Sequence, residues 1–189
     1  DQMLKTRGQD LTGKIAVVSG SGNVSQYAAE KLIQMGAKVV TMSDSLGFVY
    51  DPAGLDEEKL AFILDLKNIR RGRIKEYADK YHVQYFEGQT PWGIKCDAAF
   101  PCATQNEINE NDAKVLVKNG CYLISEGANM PSTPDAVNCF IENKVMLAPG
   151  KASNAGGVAT SGLEMSQNSL RLSWTREEVD QRLHGIMVS

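Results

Sequence analysis

The sequence contains few of the residues that build metal sites or disulfide frameworks. Of its 189 residues, four are cysteines (at 96, 102, 121 and 139) and two are histidines. No two cysteines form a C-x-x-C pair and neither histidine is near a cysteine in sequence, so the spacing argues against a zinc site. We expect four reduced, buried thiols of the kind found in cytoplasmic proteins, and a cytoplasmic location.

Long apolar runs and an excess of positive charge are also absent. A membrane-spanning helix needs roughly 20 apolar residues in succession, and no run here approaches that length. The formal net charge is -3, whereas nucleic acids and anionic membranes select basic surfaces. We therefore expect neither a nucleic acid nor a membrane as a partner.

Strand and helix patterns alternate along the chain. "KIAVVS" (14–19) is a continuous apolar run, which predicts a buried parallel strand. "NVSQYAAEKLIQMG" (23–36) predicts a helix that ends at Gly36 and has Val24, Tyr27 and Leu32 on its apolar face. Further strands are predicted over 37–43, 83–88, 96–103, 121–128 and 145–150, a hairpin or loop over 47–54, and helices over 56–70, 72–81, 109–120, from 133 onward, 154–172 and 175–189.

This alternation predicts an α/β fold, namely a doubly wound, mostly parallel Rossmann-type sheet in a three-layer αβα arrangement. Residues 1–12 are predicted to form a helix and a loop, and residues 13–189 the dinucleotide-binding domain. The last helix is still amphipathic where the sequence ends, so we expect a domain truncated at its C-terminus.

A glycine turn follows the first strand, in "SGSGNVS" (19–25). Gly20 permits a tight turn, Gly22 permits close approach of a pyrophosphate, and the following helix start offers free N–H groups. The third position of G-x-G-x-x-G holds Ser25, which is small enough to pack between helix and strand. Asp44 ends the second strand about 20 residues further on, where a ribose-binding acid is expected.

The sequence around Asp44 gives conflicting signals about the cofactor. An acid at this place favours NAD and repels a 2′-phosphate. Ser43 and Ser45, however, can donate to a phosphate, and a basic cluster follows. That cluster consists of Lys67, Arg70, Arg71 and Arg73. On charge alone, a solvated helix face explains such a cluster better than a phosphate site does.

Four later segments are more specific: "FEGQTPW" (86–92), "PCATQNEI" (101–108), "SEGANMPST" (125–133) and "LAPGKASNAGGVATSGLEMSQN" (147–168). With the glycine turn, they resemble the coenzyme-binding domain of hexameric glutamate dehydrogenases, in their NADP-preferring branch. The resemblance runs from about residue 11 to residue 187. It implies oxidative deamination of L-glutamate to 2-oxoglutarate and ammonia with NADP, NAD being less favoured.

The resemblance also implies roles for individual residues. The pair Lys67 and Arg70 matches the basic residues that reach the 2′-phosphate in this branch, even with an acid at the ribose position. Val158 and Ser161 match the pair that meets the glutamate side chain. The implied cofactor contacts are Ser21, Gly22, Asn23, Val24, Asp44, Ser45, Lys67, Arg70, Ala103, Thr104, Gln105, Asn129 and Asn154.

No catalytic residue is assigned within these 189 residues, because the family's general base aspartate and activating lysine belong to a separate N-terminal domain. The resemblance implies a chain that binds dinucleotide without turning over glutamate, and a homohexamer for the full-length enzyme. Two alternatives stay open. One is another amino-acid dehydrogenase of the same family, against which Ser161 argues, since an apolar substrate does not need its hydroxyl. The other is a non-catalytic dinucleotide-sensing module, which would not need the 147–168 segment.

Overall fold

The computed structural model describes residues 1–188; Ser189, the last residue of the predicted domain, lies outside the described residues. Its strands are β1 Ile15–Val18, β2 Lys38–Val39, β3 Thr41–Asp44, β4 Gly47–Tyr50, β5 Gln84–Glu87, β6 Ala98–Phe100, β7 Leu123–Ser125 and β8 Met146–Ala148. Its α-helices are α1 Gln2–Lys5, α2 Asn23–Gln34, α3 Glu57–Leu64, α4 Lys75–Tyr81, α5 Glu110–Lys118, α6 Pro134–Glu142, α7 Gly150–Ser153, α8 Gly156–Leu170 and α9 Arg176–Val188.

The central sheet is parallel, with the strand order β2-β1-β6-β7-β8. Helices cover both of its faces, which confirms the predicted three-layer fold. The chain leaves β1 toward β2 and later returns to place β6 on the other side of β1. The strand order therefore reverses between β1 and β6, and in folds of this kind ligands bind beyond the carboxyl ends of the strands at that point.

The prediction of one strand over 37–43 is wrong in detail. The hairpin or loop predicted over 47–54 begins with a strand, β4, which forms a hairpin with β3, and continues as a loop. The strand predicted over 37–43 breaks at Val40, and β3 pairs with β4 and β5 in a separate antiparallel sheet. The two strands diverge here because Val40 bonds on both sides: its N–H donates to Ala16 and its C=O accepts from Asp51. The Thr41 hydroxyl then bridges to the backbone of Val18 at 3.0 Å in both directions.

Alternate residues of β1 serve two separate hydrophobic cores. Ala16 and Val18 face the core formed with α2, α3 and α4. Val17 faces the opposite core, which includes Trp92 and residues of α5 and α6 such as Phe140. All five of these side chains are nearly or fully buried. This period-two alternation in an apolar run is what a central strand covered on both faces requires.

The predicted apolar face of α2 is only partly correct. Leu32 is buried, but Val24 and Tyr27 are 49% and 63% exposed. The face against the sheet instead begins with Ser25 and Gln26. These two side chains are small or hydrogen-bonded, because the start of the helix packs beside polar loops rather than beside the apolar core.

The helix predicted over 56–70 changes its geometry partway. After Leu64 it continues as a π-helical turn, Asp65–Ile69. The next helix begins at Lys75 rather than at 72, because Arg71 adopts a left-handed φ of 56° and interrupts the helical path. Single π-turns of this kind are rare and are often found at functional sites.

All four cysteines are buried and free, as predicted. Among residues 1–188, no cluster of three or more His, Cys, Asp or Glu side chains is arranged to hold a metal ion. In the same range, no helix combines the length and the apolar character needed to cross a membrane.

Candidate functional site

The glycine turn places Gly20 in a left-handed conformation at the end of β1, with φ of 81°. A Cβ on Gly20 would overlap Ser25 Oγ and would lie 3.1 Å from Ala103 Cα. The Gly20 amide donates to Ser43 Oγ at 2.7 Å. This position therefore requires glycine for two reasons, because the backbone conformation is strained for other residues and the space is filled.

Ser25 performs the packing role expected of the small third residue. It is fully buried under Gly20. Its hydroxyl donates to the Cys102 carbonyl at 3.4 Å, which joins α2 to the loop after β6. The departure from G-x-G-x-x-G at this position therefore keeps the close packing between helix and strand that the motif requires.

The start of α2 is open to an anion. Gly22 is its N-cap residue and makes no side-chain capping bond. The N–H groups of the first turn of an uncapped helix have no intrahelical acceptor, and the helix dipole places positive potential there. Asn23 and Val24 begin this 12-residue helix. The arrangement fits a pyrophosphate group held by backbone amides.

A cleft of about 590 Å³ opens in front of this helix start, at the switch point between β1 and β6. It continues into a second hollow of about 440 Å³ that reaches β7 and α7. The two hollows share Val24, Ala103 and Thr104. The predicted residues that line them are Ser21, Gly22, Asn23, Val24, Asp44, Ser45, Ala103, Thr104, Gln105, Asn129 and Asn154.

Asp44 lines the cleft, but its carboxylate points into the protein. The side chain is 7% exposed. Its Oδ1 accepts from the Leu46 amide and its Oδ2 from the Ile74 amide, both at 2.9 Å, while Lys67 Nζ lies 3.8 Å from Oδ2. Both carboxylate oxygens are thus engaged by the protein itself, and the Lys67 ammonium offsets part of the negative charge, so fewer lone pairs and less charge remain for a ligand in the cleft.

Lys67 lies on the π-helical turn, where two neighbouring contacts hold it. Its ammonium donates to the Gly72 carbonyl at 2.9 Å. The adjacent Asn68 exchanges amide hydrogen bonds with Gln26 of α2, at 3.0 and 3.2 Å. Gln26 also donates to the Ser21 carbonyl at 2.8 Å. An amide pair, in which Gln26 is buried and Asn68 is exposed, therefore ties the π-turn to the glycine turn.

The structure places Arg73, rather than Arg70, beside Ser45. Arg73 Nη1 donates to Ser45 Oγ at 3.0 Å. Arg70 instead pairs with Asp65 at 2.7 Å and Glu76 at 3.1 Å. None of Lys67, Arg70 and Arg73 lines the cleft. Lys67 and Arg73 each contact a predicted cofactor residue, Asp44 and Ser45 respectively, whereas Arg70 pairs with Asp65 and Glu76.

Glu107 holds the loop of residues 103–105 through hydrogen bonds to its backbone. Its Oε1 accepts from the amides of Ala103 and Thr104, at 2.9 and 3.3 Å. The carboxylate also lines the cleft beside the start of α2. Burial raises the pKa of Glu107, and this effect outweighs the hydrogen bonds from Ser19 and the two amides. A negative charge here is therefore costly.

The far end of the cleft carries a pair of asparagines. Asn154 Nδ2 donates to Asn129 Oδ1 at 2.7 Å and is 3.4 Å from the Ala128 carbonyl oxygen. This joins the loop after β7 to the end of α7. The pair presents one amide donor and one amide acceptor, a set complementary to a primary carboxamide.

Val158 and Ser161, the predicted substrate contacts, lie one turn apart on α8. Val158 is 78% exposed, Ser161 is also exposed, and α8 as a whole has no buried residue. Neither residue lines the cofactor cleft. The two side chains are available to contact a ligand or another part of a protein.

Three features of the site have only weak signals in the sequence. Arg73 is one of four basic residues with no distinguishing context. The sequence pattern predicts that Gln26 lies on the exposed face of an amphipathic helix, and only the fold shows that it is buried. Glu107 and Glu126 lie inside the segments "PCATQNEI" and "SEGANMPST", but their carboxylates gain partners only from residues distant in sequence or from loop geometry.

The fold and the cleft together define an α/β domain with an open cleft at the switch point of its parallel sheet, where folds of this kind bind ligands. The chain belongs to the Glutamate/Leucine/Phenylalanine/Valine dehydrogenase family, whose model matches residues 1–189.

Individual relatives agree with this assignment. The NAD(P)-specific glutamate dehydrogenase of Xylanibacter ruminicola is 66% identical over 99% of this chain and 42% of its own length. The NADP-specific glutamate dehydrogenase of Haemophilus influenzae is 58% identical over 98% of this chain and 41% of its own length. The solved glutamate dehydrogenase of Plasmodium falciparum superposes with a TM-score of 0.95, at 52% identity, over 99% of this chain and 40% of its own. The chain thus spans 40% to 42% of the length of these relatives.

Proposed function

We propose that residues 13–189 are the coenzyme-binding domain of a glutamate dehydrogenase and that residues 1–12 lead into it from a catalytic domain. The whole enzyme would convert L-glutamate, water and an oxidised nicotinamide cofactor to 2-oxoglutarate, ammonia and the reduced cofactor. The high identity to enzymes with this name supports the reaction. The cofactor supplies the acceptor for the hydride that leaves the substrate's α-carbon.

The described residues fit such a cofactor from end to end. The uncapped start of α2, at Asn23, faces the place of the pyrophosphate. Ser45, which lines the cleft, would lie at the adenosine end, and the Asn129–Asn154 pair, which lines the adjoining hollow, would lie at the nicotinamide end. Val158 and Ser161 would meet the glutamate side chain from α8. The general base and the activating lysine would come from the other domain, so we propose that this chain alone binds cofactor without turnover.

NADP is the proposed cofactor, and the orientation of Asp44 is the observation that supports it most. A free carboxylate at this position would accept from ribose hydroxyls and exclude a 2′-phosphate. Here the carboxylate is held by two backbone amides and by Lys67. Lys67 and Arg73 then supply positive charge next to Ser45, and Arg70 would join them by exchanging its bond to Glu76 for one to the phosphate.

Fluorescence titration with NADPH and NADH tests this proposal. The unmodified chain should bind NADPH more tightly, and Lys67→Ala, Arg70→Ala and Arg73→Ala should each cost about tenfold in NADPH affinity while sparing NADH, since each removes a charge-assisted hydrogen bond. Lys80→Ala is the matched control, because Lys80 contacts Phe62 and Tyr81. Tighter binding of NADH would overturn the preference for NADP.

A second assay tests the division of labour between domains. The chain is mixed with L-glutamate and NADP, and absorbance of the reduced cofactor is followed. We expect none to form. Glutamate-dependent reduction by this chain alone would show that the catalytic groups lie within it. For the full-length enzyme we propose a homohexamer and a cytoplasmic location.

A further inference from the structure

A buried carboxylate lies behind the asparagine pair, at the carboxyl edge of β7. Glu126 is 5% exposed. Its Oε2 accepts from the Gly150 amide at 2.7 Å. Gly150 is the first residue of α7, so this carboxylate binds an N–H group that has no acceptor within its own helix. Hydrogen bonds to a charged acceptor are among the stronger ones in proteins.

Two more observations show that the loop after β7 packs closely against α7. The Ser153 hydroxyl donates to the Glu126 carbonyl. A Cβ on Gly150 would lie 3.1 Å from the Ala128 carbonyl oxygen and 3.5 Å from Glu126 Oε2. The two segments thus approach each other closely, and Glu126 contacts both the first and the last residue of this four-residue helix.

The opposite side of the contact between this loop and α7 carries the asparagine pair. Asn154 follows Ser153 directly and caps α7, and Asn129 stands three residues after Glu126. Their mutual hydrogen bond is short, at 2.7 Å, but both side chains are at least partly exposed. An exposed amide pair keeps one orientation only if the backbone on both sides is fixed. Glu126 provides that fixation from the buried side.

We propose that Glu126 is a positioning residue, which holds the Asn129–Asn154 pair in register for the nicotinamide end of the cofactor. This inference rests on the proposed function, because it assumes that the pair meets the carboxamide. In this role Glu126 acts through the asparagine pair rather than by its own contact with the cofactor. Its loss should therefore weaken binding of the nicotinamide half and spare the adenosine half, which lies against Ser45 and the start of α2.

The test compares NADPH with 2′,5′-ADP, which lacks the nicotinamide half, by calorimetric titration of the whole chain. Glu126→Ala should weaken NADPH binding about tenfold and leave 2′,5′-ADP affinity within about twofold. Glu126→Gln keeps an oxygen for the Gly150 amide and should retain most of the affinity. Asn129→Ala should reproduce the selective loss. Glu110→Ala, which removes an exposed carboxylate paired with Lys114, should change neither affinity.

Each outcome decides between the two proposals. Equal loss of both ligands in Glu126→Ala, or no loss, would overturn the positioning role. If that variant does not fold, Ser153→Ala replaces it, and the same selective but smaller loss is required. No selective loss in Asn129→Ala would overturn the proposed nicotinamide contact and this inference with it. A selective loss in Asn129→Ala without one in Glu126→Ala or Ser153→Ala would overturn only this inference.

Discussion

The two glycines of the turn should respond in opposite ways to the same substitution. Gly20 has a left-handed φ of 81° and its Cβ position is occupied by Ser25 Oγ, with Ala103 Cα at 3.1 Å and the Cys102 carbonyl oxygen at 3.2 Å. Gly22 has an ordinary φ of -83°, and no atom lies within 4 Å of its Cβ position. We predict that Gly20→Ala costs stability and that Gly22→Ala costs cofactor affinity.

The cost of Gly20→Ala has two parts. A left-handed conformation in a residue with a Cβ costs about 1–2 kcal/mol. Forcing a methyl group into filled space costs about 1–3 kcal/mol. The sum, about 2–5 kcal/mol, is a large share of the stability of a typical domain. Adding Ser25→Ala should recover part of it, because the hydroxyl that overlaps the new methyl group is removed.

Gly22→Ala should change the free energy of unfolding by about 1 kcal/mol or less, because the new methyl group meets no other atom of the chain and the remaining cost is that alanine is a poorer N-cap residue than glycine. The same methyl group would stand where a pyrophosphate approaches the helix start. We expect at least a tenfold loss of NADPH affinity, equivalent to about 1.4 kcal/mol.

Urea unfolding and NADPH titration on the two variants and the Gly20→Ala/Ser25→Ala pair supply the measurements. A Gly20→Ala variant as stable as the unmodified chain would refute the steric reasoning. A Gly22→Ala variant that binds NADPH normally would refute the assignment of this turn to the pyrophosphate. The double variant distinguishes the two parts of the first cost, since only the crowding is relieved.

Three further predictions concern buried ionisable groups. Burial raises the pKa of Asp51, but hydrogen bonds from Lys59 and Tyr77 outweigh this effect and hold that pKa below its usual value. Asp51→Asn should therefore lower the free energy of unfolding by about 3 kcal/mol at pH 7 and by progressively less below about pH 4. Urea unfolding across that pH range measures the difference. The pKa of Glu107 is raised, so the stability that this group contributes is lost as the pH rises through that pKa. Glu107→Gln should therefore raise the melting temperature at pH 7 and tighten NADPH binding. A lower melting temperature would contradict this. Burial raises the pKa of Cys102 to about 12, so a thiol reagent should label it only in urea, and rapid labelling of the folded chain would contradict its burial.

Much of the fold can be predicted from the local pattern of apolar residues, because that pattern reflects how each helix or strand is buried. The run "KIAVVS" predicts β1 since a strand covered on both faces needs apolar residues at every position. The antiparallel sheet could not be predicted in this way. Its origin is the two-sided pairing of Val40, and a choice of partner between distant strands leaves no periodic signal in either one.

The residues of the candidate site also differ in how far the sequence alone predicts their roles. The glycine turn was recognisable because its backbone chemistry requires particular residues at particular spacings. The role of Asp44 was not, since its carboxylate is turned inward by amides at Leu46 and Ile74, and the second lies on a different element. Arg73 likewise gains its position from the left-handed turn at Arg71, which ends the helical path just before it.

The cofactor and substrate determinants also differ in how they are supported. Gly20, Ser25 and Glu126 are held by buried contacts at the carboxyl edge of the central sheet, so the proposed cofactor cleft is formed by residues of this chain. Val158 and Ser161 stand on α8, which has no buried residue. An exposed helix fixes the spacing of its side chains but not their distance from a ligand across a cleft. Under the proposed function, precise binding of the glutamate side chain would therefore depend on what packs against α8, whereas the proposed cofactor contacts would not.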